Sequence, residues 1–282
     1  MPYALPLTLF LLWHILSVTG ILPTKILPAP TAVLKAGSTL IQSGDLWKHL
    51  AVSSGRALTG LFIGGSIGFA LGLLTGLSRL AYTLLDSTVQ MLRTIPNLAM
   101  IPLVILWFGI GEETKVFLIA LGVFFPLYLN TYHGIRSIDP GLREMAEVYG
   151  LRGWRLFRLV IFPGALPSIL VGLRFSLGSM WLTLIAAEAL AAEAGIGYLT
   201  TTAREFMQTD IVVVGTLIYA LLGKLADVIA RALERRLLSW NANYLATPPP
   251  ERQQNTRAKA TQPPGSEGKE RATCDSKSAA PA

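Results

Sequence analysis

The sequence is short of the side chains that most chemistry needs. It has one cysteine, Cys274, in a polar C-terminal stretch, which excludes a disulfide framework or a thiolate metal site. It has three histidines, His14, His49 and His133, scattered along the chain, and no H-E-x-x-H or C-x-x-C. We assign each histidine a structural or interfacial role and expect no metal and no cofactor. There is no G-x4-G-K-[ST]: Gly223-Lys224 is followed by leucine and lacks the preceding glycine loop, so the chain has no cradle for ATP phosphates. Charge is scarce too, with Asp, Glu, Lys and Arg at 15%, where soluble domains carry about 25%.

Apolar sequence takes the place of charge. Hydrophobic residues make up 52% of the 282 and the mean hydropathy is +0.51. The excess falls in runs that approach the ~20 residues needed to cross a bilayer. Six stand out, at about 4–22, 57–77, 95–110, 116–132, 168–190 and 211–230. The third is short and is expected to borrow the amphipathic residues Leu84 to Leu92 before it. The first has no basic n-region and no A-x-A site, so it reads as a retained span. The fold class is an all-α membrane protein of six transmembrane helices.

The net charge of +7 is no nucleic-acid signal, because the basic residues sit between the apolar runs and in the tail. With both termini inside, ten Lys and Arg flank the spans in the cytoplasm and six outside, a bias that sets orientation. Most of it comes from Arg136, Arg143, Arg152, Arg155 and Arg158, between the fourth and fifth spans. The stretch 247–282, rich in Pro, Gln, Lys, Glu, Ser and Ala, is expected to be a disordered cytoplasmic tail.

In the second span Gly60, Gly64, Gly68, Gly72 and Gly76 recur every fourth residue. Four residues turn a helix by ~400°, so the glycines form one slowly drifting groove. Two readings stay open, static close packing of another helix and a face that pivots during transport. In the fifth span Ser176, Ser179, Met180 and Thr183 share a face. This mildly polar stripe suits either a translocation pathway or helix–helix hydrogen bonds. Arg174 and Glu188 lie ~21 Å apart along that helix and cannot pair. Arg174 reads as snorkelling or structural, and Glu188 with Glu193 as helix packing or a receptor interface.

The segment from Asp139 to Pro163 is the most informative. Asp139-Pro140 is an N-cap acid followed by proline at the first helical position. Leu142, Met145, Ala146 and Tyr149 make one apolar face, and Gly150 is a terminator. A second stretch carries Leu156, Phe157, Val160 and Ile161 on one side, with Arg152, Arg155 and Arg158 suited to anionic headgroups or an acidic partner. Pro163 and Pro167 are expected to break the chain before the fifth span. The short amphipathic helix needs either a partner groove or a seat on the bilayer surface.

Glu144-Met145-Ala146, Gly150 and Val160-Ile161-Phe162-Pro163 resemble the "EAA" signature of permeases in binding-protein-dependent ABC importers, with Met145, Val160 and Phe162 departing from the usual residues. That resemblance implies a type I importer permease fold, with the importer transmembrane domain over 53–237. It implies an ATPase-coupling loop carried by Glu144, Ala146, Tyr149, Gly150 and Pro163. It also implies a homodimer, cytoplasmic ATP-binding subunits that hydrolyse the ATP, a periplasmic substrate-binding protein and a bacterial inner-membrane location. Arg93-Thr-Ile-Pro-Asn97, Pro102 to Gly109, Ala194 to Tyr198 and Ala203 to Phe206 look like the branch importing aliphatic sulfonates, taurine, nitrate and related anions. Phe162 to Arg174, Trp181 to Glu188 and Leu221 to Asp227 are most similar to its aliphatic-sulfonate permeases. An ATPase-independent secondary transporter or channel is the rival, but the internal repeat it calls for is not evident.

Overall fold

A computed structural model describes residues 4–19 and 27–240. The expected tail at 247–282 and the last residues of the expected first span lie outside the described residues. Residues up to Glu234 form one compact unit and those from Arg235 a second, described only to residue 240. All the described secondary structure is helical.

Helix α1 (Ala4–Val18) covers most of the expected first span. Helix α2 (Pro30–Ser43) opens on proline, buries Val33 and Leu40, and ends at Gly44. Helix α3 (Asp45–Leu77) runs for 33 residues, three turns more than the apolar run 57–77. The stretch between the first two apolar runs, whose Lys35, Lys48 and Arg56 count among the six outside charges, is therefore mostly α2 and the start of α3. Ser53 and Arg56 hid this extension, because they are polar yet buried against other helices.

Helix α4 (Arg79–Arg93) is capped by Ser78, whose Oγ accepts from the Ala81 N–H. A 3-10 turn (Asn97–Met100) and α5 (Ile101–Phe108) follow. The third span is not straight, since α4 and the following helix meet at 85°. Pro96 explains the break. It lacks an N–H and pushes Ile95 away from helical backbone.

Helix α6 (Glu112–Arg136) starts with two glutamates and ends with Arg136, each charge opposing the local end of the helix dipole. Helix α7 (Pro140–Val148) is followed by α8 (Gly153–Leu156), a π-helical turn (Phe157–Ile161) and α9 (Phe162–Ala191). The expected break at Pro163 and Pro167 does not occur, and Gly153–Leu190 is one continuous helical span. Pro163 falls in the first turn after the π-turn, where its missing N–H and ring are accommodated by the wider coil. Helices α10 (Ile196–Glu205) and α11 (Thr209–Leu237) complete the described chain.

Among the described residues four helices are long and apolar enough to cross a membrane, α3, α6, α8–α9 and α11, and the bent α4–α5 pair supplies a fifth. The core is α6 held between α3 and α9. A Cβ on Gly68 would sit 2.6 Å from the Phe124 carbonyl, and one on Gly72 2.7 Å from Thr131 Cβ. Gly64 faces the Ala120 backbone, Gly60 and Gly76 the Ile119 and Ile135 side chains. On the other side of α6, Gly134 abuts Ser168 and the Ala165 carbonyl of α9.

Leucine at Gly68 must therefore displace backbone, and overpacking of this kind costs about 1–3 kcal/mol or more. Gly68→Leu is expected to cut the monodisperse, detergent-extracted protein severalfold. Gly55→Leu, on the same helix but with nothing within 4 Å, is expected to extract like the wild type. Size-exclusion profiles at matched expression measure both.

Candidate functional site

Helix α7 closes one end of the core. The Asp139 carboxylate accepts from the Gly141 N–H at 2.8 Å, and Pro140 takes the first helical position. At the other end Gly150 has φ +79°, and the Gly150 and Leu151 N–H groups donate to the Glu147 and Ala146 carbonyls at 3.0 Å each. That pair of bonds is a Schellman stop, and only the left-handed residue between them allows it. The ends of α7 are thus fixed by its own sequence.

Its faces are unequal. Ala146 is buried among Leu127 and Ile135 of α6 and Leu156, Ile161, Ala165 and Ile169 of the α8–α9 span. Leu142 and Met145 are half out, while Val148 and Tyr149 are 87% and 79% exposed. The expected apolar face therefore divides, with Ala146 alone turned to the core. Glu144 is exposed, and Arg143 pairs with Glu147 at 3.6 Å. Pro163 lies inside the helical span, away from the exposed face. Beside α7 a cleft of about 1110 Å³ is lined by Phe69, Leu73 and Leu77 of α3 and by Trp154, Phe157 and Phe162.

The polar stripe of α9 lies mainly against α6. Ser176 is fully buried and its Oγ donates to the Val123 carbonyl at 2.9 Å; Met180 packs with Ile119 and Val123. Thr183 donates to the Ser179 carbonyl, one turn back, at 2.9 Å. Only Ser179 opens onto a second groove, of about 1270 Å³, between α6, α9 and α11. Arg174 enters that groove as an ion pair with Asp227 at 3.0 Å, and Asp227 also holds Arg231 at 2.7 Å.

Sequence reading missed a charged cluster at the end of the core opposite α7. The Glu188 carboxylate is 1% exposed and accepts from four donors. These are Arg56 at 2.7 Å, Ser53 at 2.8 Å, the Gly197 N–H at 2.9 Å and the Tyr219 hydroxyl at 3.1 Å. Arg56 also grips Glu112 through two bonds of 2.6 Å and donates to the Ala194 carbonyl at 2.5 Å. Lys115 completes the set on Glu112 at 3.0 Å. Two cations and two carboxylates balance, which is the condition for burying Arg56, Lys115 and Glu188, while Glu112 reaches water. The cluster ties α3, α6, α9, α10 and α11 together, and Gly195 (φ +120°) shapes the turn that brings the α10 amides to it. A lone carboxylate in the run Leu184 to Leu190 demands a buried partner, but the partner lies 132 residues away.

A family model for the inner membrane component of binding-protein-dependent transport systems matches residues 65–239. The "putative aliphatic sulfonates transport permease protein SsuC" of Escherichia coli (strain K12) is 60% identical over 243 residues, 86% of this chain and 92% of that protein. The "taurine transport system permease protein TauC" of the same organism is 37% identical over 238 residues, 83% and 86% of the two chains. A crystal structure of an amino acid ABC transporter superposes with a TM-score of 0.58 at 18% identity, covering 71% of this chain and 97% of that one. The last likeness concerns the fold alone.

Removing one partner of a buried ion pair costs about 3–5 kcal/mol, because the other charge is left uncompensated. Glu188→Ala should therefore lower the melting temperature in detergent far more than Glu147→Ala, whose ion pair with Arg143 is exposed on both sides. Thermal-shift curves followed by size exclusion measure the difference.

Proposed function

The chain belongs to the family of binding-protein-dependent transport system inner membrane components, and we propose that it forms the path by which aliphatic sulfonates cross that membrane. It is a permease subunit of an ABC importer. The substrate class rests on its relation to the E. coli permease, which spans most of both chains at much higher identity than the taurine permease. We assign the importer domain to 53–237, with α1 preceding it.

The observation that carries the coupling role is α7. It is stopped at both ends, anchored through Ala146 alone, and presents Leu142, Met145, Val148 and Tyr149 outward next to Glu144. An exposed apolar surface on a rigid short helix fits the helix-in-groove mode of docking. In our reading the groove belongs to a cytoplasmic ATP-binding subunit, which also supplies the hydrolysis for which this chain has no phosphate loop. Two copies of the chain face each other, a periplasmic binding protein delivers the substrate at the Glu188 end, and both termini lie in the cytoplasm. When the ATPases close, α7 moves and carries the shared ends of α6 and α9 with it.

Glu144→Arg tests this assignment. The variant should insert and extract normally, since Glu144 makes no ion pair among the described residues. Binding-protein-stimulated ATP hydrolysis in the assembled transporter should drop about tenfold, the effect of reversing one charge at a docked interface. Undiminished stimulation would remove Glu144 from the coupling surface.

A further inference from the structure

The turn that breaks the third span is in an unusual place. It joins α4 to α5 at 85° and carries Asn97. The Asn97 Nδ2 lies 2.9 Å from where a Cβ on Gly122 would be, and the same point is 2.7 Å from Thr183 Oγ1 and 3.3 Å from Ser179 Oγ. Gly122 is ten residues into α6, ~15 Å along the helix axis, near the middle of a hydrocarbon layer ~30 Å thick. Three polar heads thus meet at mid-membrane depth in the space where residue 122 has no side chain.

These groups are not used up by the fold. The Asn97 Nδ2 donates no hydrogen bond among the described residues and lies in the space beside Gly122. The Trp181 Nε1–H, two residues beyond Ser179, is buried and unpartnered. Thr183 already donates to the Ser179 carbonyl and Ser176 to that of Val123, so Ser179 holds the one uncommitted hydroxyl of the stripe. A buried polar group left unbonded costs about 1–3 kcal/mol, and the free donors here, the Asn97 Nδ2, the Ser179 hydroxyl and the Trp181 N–H, call for an acceptor.

The surroundings indicate which ligand. Arg93, Ser179 and Trp181 line the same groove. Arg93 forms no ion pair among the described residues. The one acidic side chain lining the groove, Asp227, is shared by Arg174 and Arg231. The lining therefore carries uncompensated positive charge and neutral donors. Phe125, Leu129 and Leu182 add an apolar wall.

We propose that this patch is the anion subsite of the translocation path, with Asn97 Nδ2, Ser179 Oγ and Trp181 Nε1 donating to the sulfonate oxygens. Arg93 supplies the countercharge, and the apolar wall takes the alkyl chain. A sulfonate spreads one negative charge over three acceptor oxygens, which suits several neutral donors near one guanidinium. Such donors hold the ion weakly enough to release it, as conduction through a path requires. Helix breaks at depth serve this purpose because they free polar groups where intact helices have none. The assignment rests on the sulfonate reading of the transporter.

The test uses the whole transporter in proteoliposomes, in a Cys274→Ser background that removes the one native cysteine. Ser179→Cys is exposed to two thiol reagents of similar size, a sulfonatoethyl and a trimethylammonioethyl methanethiosulfonate. The sulfonate reagent should react at least about tenfold faster, as expected where positive walls focus anions, and excess ethanesulfonate should slow it. Trp181→Phe and Asn97→Ala should lower ethanesulfonate uptake per ATP hydrolysed, a ratio that a merely structural defect does not move. Equal reactivity of the two reagents, or an unchanged ratio in both variants, overturns the subsite. A wild type that imports a different anion and no sulfonate overturns the proposed substrate instead, while the charge preference at residue 179 still tests the patch.

Discussion

Backbone contact between glycine-faced helices is the constraint on which the rest of this structure depends. In lipid there is no hydrophobic gain in bringing two apolar helices together, so closeness comes from small residues that let main chains meet. Helix α6 receives this contact twice. On one side the α3 glycines from Gly60 to Gly76 lie on Ile119, Ala120, Phe124, Thr131 and Ile135. On the other, Gly134 and Gly172 bring α9 onto the same helix at Ala165 and Pro126. A missing side chain at Gly122 then admits Asn97 from a third element. The stripe on α9, the broken turn and both ends of the core take their places from this three-helix arrangement.

The two ends are closed by opposite chemistry. Near α7 the closure is apolar, with Ala146 set among Leu127, Ile135, Leu156 and Ile161. At the far end it is ionic, with Arg56 shared between Glu112 and Glu188. A buried ion pair adds little net stability against an apolar replacement, but its geometry is directional. Four donors on one carboxylate leave a single way to seat α10 on α3 and α9. The apolar closure carries no such directional bonds, and the segment that has to move in the proposed cycle rests on it.

Much of this could be read from local sequence. Asp139-Pro140 and Gly150 mark both ends of α7 because capping is decided within four residues. The period of four in Gly60 to Gly76 defines a face for the same reason. Long-range facts were not legible. The first turns of α3 look like a loop because Ser53 and Arg56 are polar, and their partner, Glu188, is set by the tertiary fold. Pro163 and Pro167 read as breaks by the usual steric rule, yet Pro163 falls in the first turn after a π-turn and Pro167 stays inside α9. Asn97 entered only as part of the resemblance at Arg93 to Asn97; taken by itself, an asparagine after Ile95-Pro96 is what any turn would show.

How motion passes through the molecule follows from where it lacks slack. At Gly60, Gly64, Gly68, Gly72 and Gly76 the distances to α6 leave no room for even a methyl group, so sliding one helix past the other would break several close contacts at once. Dense interfaces of this kind move as rigid bodies. A displacement entering at Ala146 therefore reaches α6 and α9 together and carries α3 with them. In the proposed cycle the yielding falls to the groove between α6, α9 and α11, where the packing is open. Arg93, Ser179 and Trp181 line it, and Asn97 reaches the Gly122 side of Ser179. The proposed site then changes shape while the three-helix core does not.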